Sequence, residues 1–240
     1  MHRWLPITAL LAGIAAANAA DPQEVWEQAV KAKGGRERLR GVHSLAIYMK
    51  PADVNLRGPA TNWLLVFPDR YFEFDGARAG GHQSAIVVDG TADRVAMDAT
   101  GIPRNARHLT SYEHDRLALH QIVFLLESAW LQARPVEVRH NVLVVEAAGR
   151  TYKLTLNSAN LPERVLSPPM PGQKPKIQYD YRLQRYRDFQ GVMLPARVTS
   201  IDGVRASIWD VDYEIDAKYN PKLFERMPDL GNGPEPWRMR

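Results

Sequence analysis

The stretch 177–228 constrains the fold more than any other part of the chain. It alternates polar and apolar residues over three long segments and punctuates them with two tight turns. Asp188-Phe189-Gln190-Gly191 supplies an aspartate that can cap its own turn and a glycine for positive φ, and Asp202-Gly203 is a two-residue hairpin signal. Between the turns the period is two. From 205 to 216 the odd positions include Trp209, Val211, Tyr213 and Ile215, whereas Asp210, Asp212, Glu214 and Asp216 hold the even ones. One face of such a strand is dry and the other wet, which predicts a curved antiparallel sheet closed by a short terminal anchor.

Upstream the same grammar recurs. Strands are expected over 43–50, 63–67, 71–74, 83–88, 93–98, 136–146, 151–156 and 161–166, giving about ten or eleven in all. The run at 63–67 is almost continuously apolar, so the hairpin it forms with 71–74 is expected to be buried on both faces near its middle. SPPMPGQKP at 167–175 is too stiff for helix or ladder and reads as a long loop. Two helices interrupt the strands. Asp21-Pro22 opens one as N-cap and first helical position, Gly34 and Gly35 end it, and Val25, Trp26, Ala29 and Val30 lie on one stripe. Thr110 with Glu113 forms a capping box for a second, expected to run to about Leu131. Its second half, QIVFLLESAWL, is apolar almost around the cylinder, so it must be enclosed or lie on something apolar. The fold class is therefore mainly β with α: an unclosed antiparallel β-barrel with helices covering the concave face.

The first twenty residues carry Arg3, an apolar run from 10 to 17 and small residues Ala17 and Ala19, the pattern of a secretory signal peptide cleaved after Ala19 or Ala20. A single domain over 21–230 and a tail over 231–240 are expected to follow. The chain has no cysteine, which excludes disulfides, thiolate metal sites, a cysteine nucleophile and a lipidated N-terminal cysteine. Loss of Arg3 lowers the formal charge from +4 to +3. That surplus is dispersed, which argues against nucleic acid as a partner and leaves peripheral contact with anionic headgroups open.

No G-x-S-x-G, H-E-x-x-H, P-loop or dinucleotide fingerprint is present, and no cofactor or metal is expected. His114 and His120 are six apart, on different faces of their helix. Glu113-His114-Asp115 reads as a solvated first turn whose acids suit the helix dipole. The acidic ladder Asp210, Asp212, Glu214 and Asp216 reads as a solvated strand face with Arg197 as a cross-strand partner.

Several short pieces in fixed order carry a resemblance. They are Gly34 and Gly35 with Leu39, Val42 and Ser44; Phe67-Pro68-Asp69-Arg70-Tyr71; Val88-Asp89-Gly90; Tyr179 and Tyr181 before Gly191-Val192-Met193-Leu194-Pro195; and Leu223-Phe224 with Pro228. With these the chain resembles the periplasmic lipoprotein-carrier superfamily, the LolA-like and outer-membrane lipoprotein-sorting proteins. The resemblance implies a periplasmic protein whose half-barrel has an apolar concave face plugged by helices and receives acyl chains there, with the helices as its lid, here principally 110–131. Arg57 and Arg70 are candidates for the arginine that meets lipoprotein in such carriers. The leading expectation is a non-enzymatic carrier or sensor for a lipid, an acyl chain or a lipid-modified protein, with Trp63, Phe124, Trp130, Tyr181, Trp209 and Tyr213 as its lining. Removing chain methylenes from water contributes about 0.8 kcal/mol each, so ten carbons suffice without any catalytic group. An envelope interaction module whose core is filled by its own side chains, with a protein partner, is the alternative. A hydrolase assembled from distant residues is the second alternative.

Overall fold

The computed structural model describes residues 20–52, 61–75, 84–90, 94–98, 107–128, 131, 133–169, 178–203 and 205–225. The expected signal peptide and the expected tail 231–240 fall outside these residues. In chain order the elements are α1 (Pro22–Lys33), α2 (Arg36–Arg40), β1 (Ser44–Pro51), β2 (Thr61–Val66), β3 (Arg70–Asp75), β4 (Ser84–Asp89), β5 (Arg94–Asp98), α3 (Ser111–Phe124), β6 (Arg134–Arg139), β7 (Val142–Ala147), β8 (Arg150–Leu156), β9 (Pro162–Leu166), β10 (Tyr179–Phe189), β11 (Val192–Asp202) and β12 (Arg205–Ile215), followed by a 3-10 turn, Pro221–Phe224. All strands join one antiparallel sheet in the order β5-β4-β3-β2-β1-β12-β11-β10-β9-β8-β7-β6. No described ladder joins β5 to β6, so the sheet is not closed.

Among the described residues twelve strands form where ten or eleven were expected, because 136–146 is two strands and not one. His140 takes φ 57° and turns the chain with Asn141, a left-handed conformation that an apolar pattern conceals. The period of two also fails once in the long hairpin. Tyr181 and Leu183 face inward, but Arg185 takes φ 57° and shifts the alternation so that Tyr186 and Phe189 pack inward next. A non-glycine residue held there costs on the order of 1–2 kcal/mol. The inward seating of two aromatic rings offsets it.

The two faces of the sheet belong to two cores. Leu45, Ile47, Met49, Trp63, Leu65, Tyr71, Val211, Tyr213 and Ile215 face the concavity and join the main core with α1 and α3. Ala46, Leu64, Val66, Phe72, Phe74 and Val87 point the other way and are covered by Ala217, Leu223 and Phe224. Hence β2 is buried at every position, as the continuous apolar run predicts. The terminal anchor is what dries its outer face.

Helix α1 starts where expected, with the Asp21 carboxylate accepting from the Gln23 amide and Pro22 at the first position. It ends at Gly34, whose φ is 134° and whose missing Cβ would lie 2.2 Å from the Gly191 carbonyl oxygen. Only glycine fits there. The close approach locks the helix end onto the β10–β11 turn, where Arg38 also donates to the Gln190 carbonyl at 2.9 Å. Helix α3 has its expected capping box but ends at Phe124, earlier than the expected Leu131, because Leu126 turns to φ 68°. Every residue of α3 from Leu117 to Phe124 is buried. The helix thus plugs the concavity, as the resemblance implies.

Candidate functional site

The site is the concave floor beneath α3. Register builds a row across four strands: Glu73 pairs with Trp63, Trp63 with Ile47 and Ile47 with Tyr213. The plug sets Phe124 against this row, its ring 5.9 Å from Trp63 and 6.1 Å from Tyr213, both edge-on. One turn earlier His120 stacks on Trp63 at 4.4 Å and meets the edge of Tyr71 at 5.5 Å. Phe189 extends the aromatic floor from Tyr213 at 5.0 Å.

Of the six aromatic residues singled out as lining, the structure brings four into the interior: Trp63 is 6% exposed, Phe124 0%, Tyr181 5% and Tyr213 8%. Trp209 is partly buried against the same core. Trp130 lies outside the described residues. Trp63, Phe124 and Tyr213 form one contiguous cluster. Tyr181 stands apart, stacked on Tyr179 at 6.1 Å near the start of the plug.

Polar groups fasten the plug at both ends. At its N-terminal end Arg116 bonds Glu73 at 2.7 Å, Asp115 meets Arg150 at 2.9 Å, Tyr112 and Tyr179 share a hydroxyl hydrogen bond of 2.8 Å, and Arg107 grips Glu113. Glu113 and Asp115 are therefore buried and paired, where the sequence predicts a solvated turn; His114 is exposed. Tertiary partners that no local pattern displays dried them. The Arg107 guanidinium and the Thr110 amide outweigh burial and hold the Glu113 carboxyl below its usual range. At the C-terminal end the buried Glu127 accepts from Arg36 and Arg40, and Gln121 donates to the Pro68 carbonyl at 2.6 Å.

Three buried nitrogens in this layer have no hydrogen-bond partner: Nε1 of Trp63 and both ring nitrogens of His120. Burial, reinforced by the nearby Arg116 charge, holds the His120 imidazole well below its usual pKa, so it is neutral near pH 7. A second orphan base lies at the far side. Lys33 is fully buried at the end of α1, its Nζ unpaired and 5.2 Å from the Tyr186 ring centroid, and burial pulls it down to about 7. Sequence reasoning weighed His120 only as a metal ligand and passed over Lys33. A long basic side chain in the last turn of a helix ordinarily signals dipole compensation, and only the approach of β10 reveals the burial.

Of the two arginine candidates, Arg70 does not reach the concavity. Arg70 pairs with Asp89 at 3.1 Å and lies over Phe224, on the outer face with Phe72 and Phe74, because strand alternation sends it opposite to Tyr71. Arg57 lies outside the described residues. On the acidic ladder Arg197 does pair with Asp210, at 2.8 Å, and Glu214 accepts from Tyr48. Two clefts on the described surface reach ligand size, about 540 Å³ beside Arg164, Arg182 and Arg185, and about 710 Å³ beside Arg40, Arg134 and Arg150. Both are lined by charge, so neither is the apolar hollow expected from the sequence. In this conformation α3 fills that hollow.

An open antiparallel half-barrel with a helical plug is the class of architecture that these elements define. The chain has a LolA-like fold. It is similar to the crystal structure of LolA superfamily protein NE2245 from Nitrosomonas europaea, with a TM-score of 0.51 and 14% identity over 86% of this chain and 98% of that one. A DUF1329 family protein from Desulfovibrio piger aligns over 85% of this chain and 98% of its own, at 9% identity and a TM-score of 0.40. No family model matches the sequence, and no curated protein matches it.

Proposed function

We propose that this protein is a non-enzymatic carrier or sensor of the periplasm that holds an acyl chain, free or attached to a lipid or lipoprotein, on the concave floor now occupied by α3. The observation that carries the reading is the plug itself. It presents an apolar surface to an aromatic floor, yet its fastenings are hydrogen bonds and ion pairs at its two ends. When α3 shifts, these groups regain water in place of one another, and an acyl chain can replace the apolar contacts in kind, at about 0.8 kcal/mol per methylene. The LolA-like fold supports the reading, as does the signal-peptide pattern expected in the first twenty residues. Among the described residues no helix is long and apolar enough to cross a membrane.

A second reading rests on a specific observation: the aromatic floor is already dry, with Phe124 seated between Trp63 and Tyr213. On that reading the core is self-filled and the outer surface docks on an envelope protein. Extraction and mass spectrometry of the protein purified from the periplasm separate the two. The carrier reading expects co-purifying lipid and saturable uptake of a fluorescent fatty acid. No lipid and no uptake would leave the interaction module standing.

A further inference from the structure

Trp63 and His120 are stacked face to face, one from the floor and one from the plug, and each carries nitrogen atoms that nothing satisfies. An unpaired buried donor or acceptor costs about 1–3 kcal/mol, and here three of them share one layer of an otherwise apolar core. Nearby polar groups are already engaged. Tyr71 donates its hydroxyl to Glu73 at 2.9 Å, Arg116 donates to the same carboxylate, and Gln121 bonds the Pro68 carbonyl and the Ser128 hydroxyl.

Indole contributes one N–H donor, and a neutral imidazole one donor and one acceptor. A group that complements all three offers acceptor oxygens and a single O–H. An ester beside a free hydroxyl does so, and a protonated carboxyl group supplies one donor and one acceptor to part of the set. A bare hydrocarbon chain offers nothing. We infer that Trp63 and His120 form a subsite for the oxygen-bearing end of an acyl ligand, selecting an acyl ester or acid over a plain alkyl chain. The inference rests on the carrier reading: the oxygen-bearing end enters this layer as α3 shifts along the floor with His120 still facing Trp63, while the hydrocarbon takes the floor that Phe124 vacates. It adds the class of head group that the floor recognises.

The test pairs two probes of equal chain length, monodecanoylglycerol and 1-chlorodecane, in displacement of a fluorescent fatty acid from the full mature protein. The wild type prefers monodecanoylglycerol. Trp63→Phe and His120→Phe keep flat rings and remove one and two nitrogens, so they weaken monodecanoylglycerol about fivefold and about twentyfold more than they weaken 1-chlorodecane, the equivalents of one and two neutral hydrogen bonds. Thermal midpoints hold or rise, because orphaned polar atoms are gone. As a check independent of either variant, the Trp63 indole N–H resonance of the wild type shifts on addition of monodecanoylglycerol and stays put with 1-chlorodecane. Equal weakening of both probes, unchanged binding of both, or a silent indole resonance overturns the subsite and leaves the carrier reading intact. If neither probe binds the wild type, both readings fall.

Discussion

Lys33 is the residue whose environment departs furthest from what its chemistry prefers. Its amine is dry and unpaired over Tyr186, and its folded pKa of about 7 lies below the ordinary 10.5. Between those values the unfolded chain binds a proton that the folded chain refuses, so stability rises with pH across that window. Below about 7 both forms are protonated and the cost is constant. Lys33→Met fills the same space without a charge. Denaturant melts at pH 7.5 and 9.5 should show the wild type gaining up to ~3 kcal/mol relative to the variant, at about 1.4 kcal/mol per pKa unit. Equal pH slopes would sink the assignment. Phe124 makes the opposite kind of contribution: it is wholly buried between Trp63 and Tyr213, and Phe124→Ala should cost about 3–5 kcal/mol in the same melts. At this scale the sequence named most of the aromatic floor, since apolar rings at inward strand positions announce themselves. It did not name the orphan bases, because burial of a charged residue type is set by what arrives from elsewhere in the chain.

Among the elements, α3 concentrates the fastenings that the proposed function requires to open. Its capping box was legible in Thr110 and Glu113, and Thr110→Ala should destabilise by about 1 kcal/mol. The hold at its other end was not legible, because Glu127 lies 91 residues from Arg36. Glu127→Gln weakens two charge-assisted bonds and should raise hydrogen exchange across α3 by about tenfold while the amides of β1, β11 and β12 keep their protection. A uniform rise over the sheet would mean that the plug and the sheet open as one unit. The strand elements show why pattern reading stops short. Arg185 adopts left-handed backbone without being glycine, so a shift of alternation inside β10 left no mark in the residue types, whereas the turn inside 136–146 falls on His140 and Asn141, types that favour such a backbone.

Taken whole, the molecule is one sheet dried on both faces by different partners, with α1 and α3 within the curve and the C-terminal anchor outside it. The outer core hangs on few residues. Phe224→Ala should cost about 3 kcal/mol and should lower the midpoint of one cooperative transition without creating a second, since β1 to β4 contribute to both cores. A separate early transition in calorimetry would show the anchor to be an independent unit. The period-two alternation, the paired turns and the two helix caps are properties of neighbouring residues, and from them the chain by itself determined an antiparallel sheet that carries amphipathic helices. Only the tertiary structure decided that acids in the first turn of α3 are buried against arginines, and that Lys33 and the pair Trp63 and His120 are left dry without partners. Those outcomes depend on which surfaces meet across long sequence separations, and burial, unlike periodicity, is not a local property.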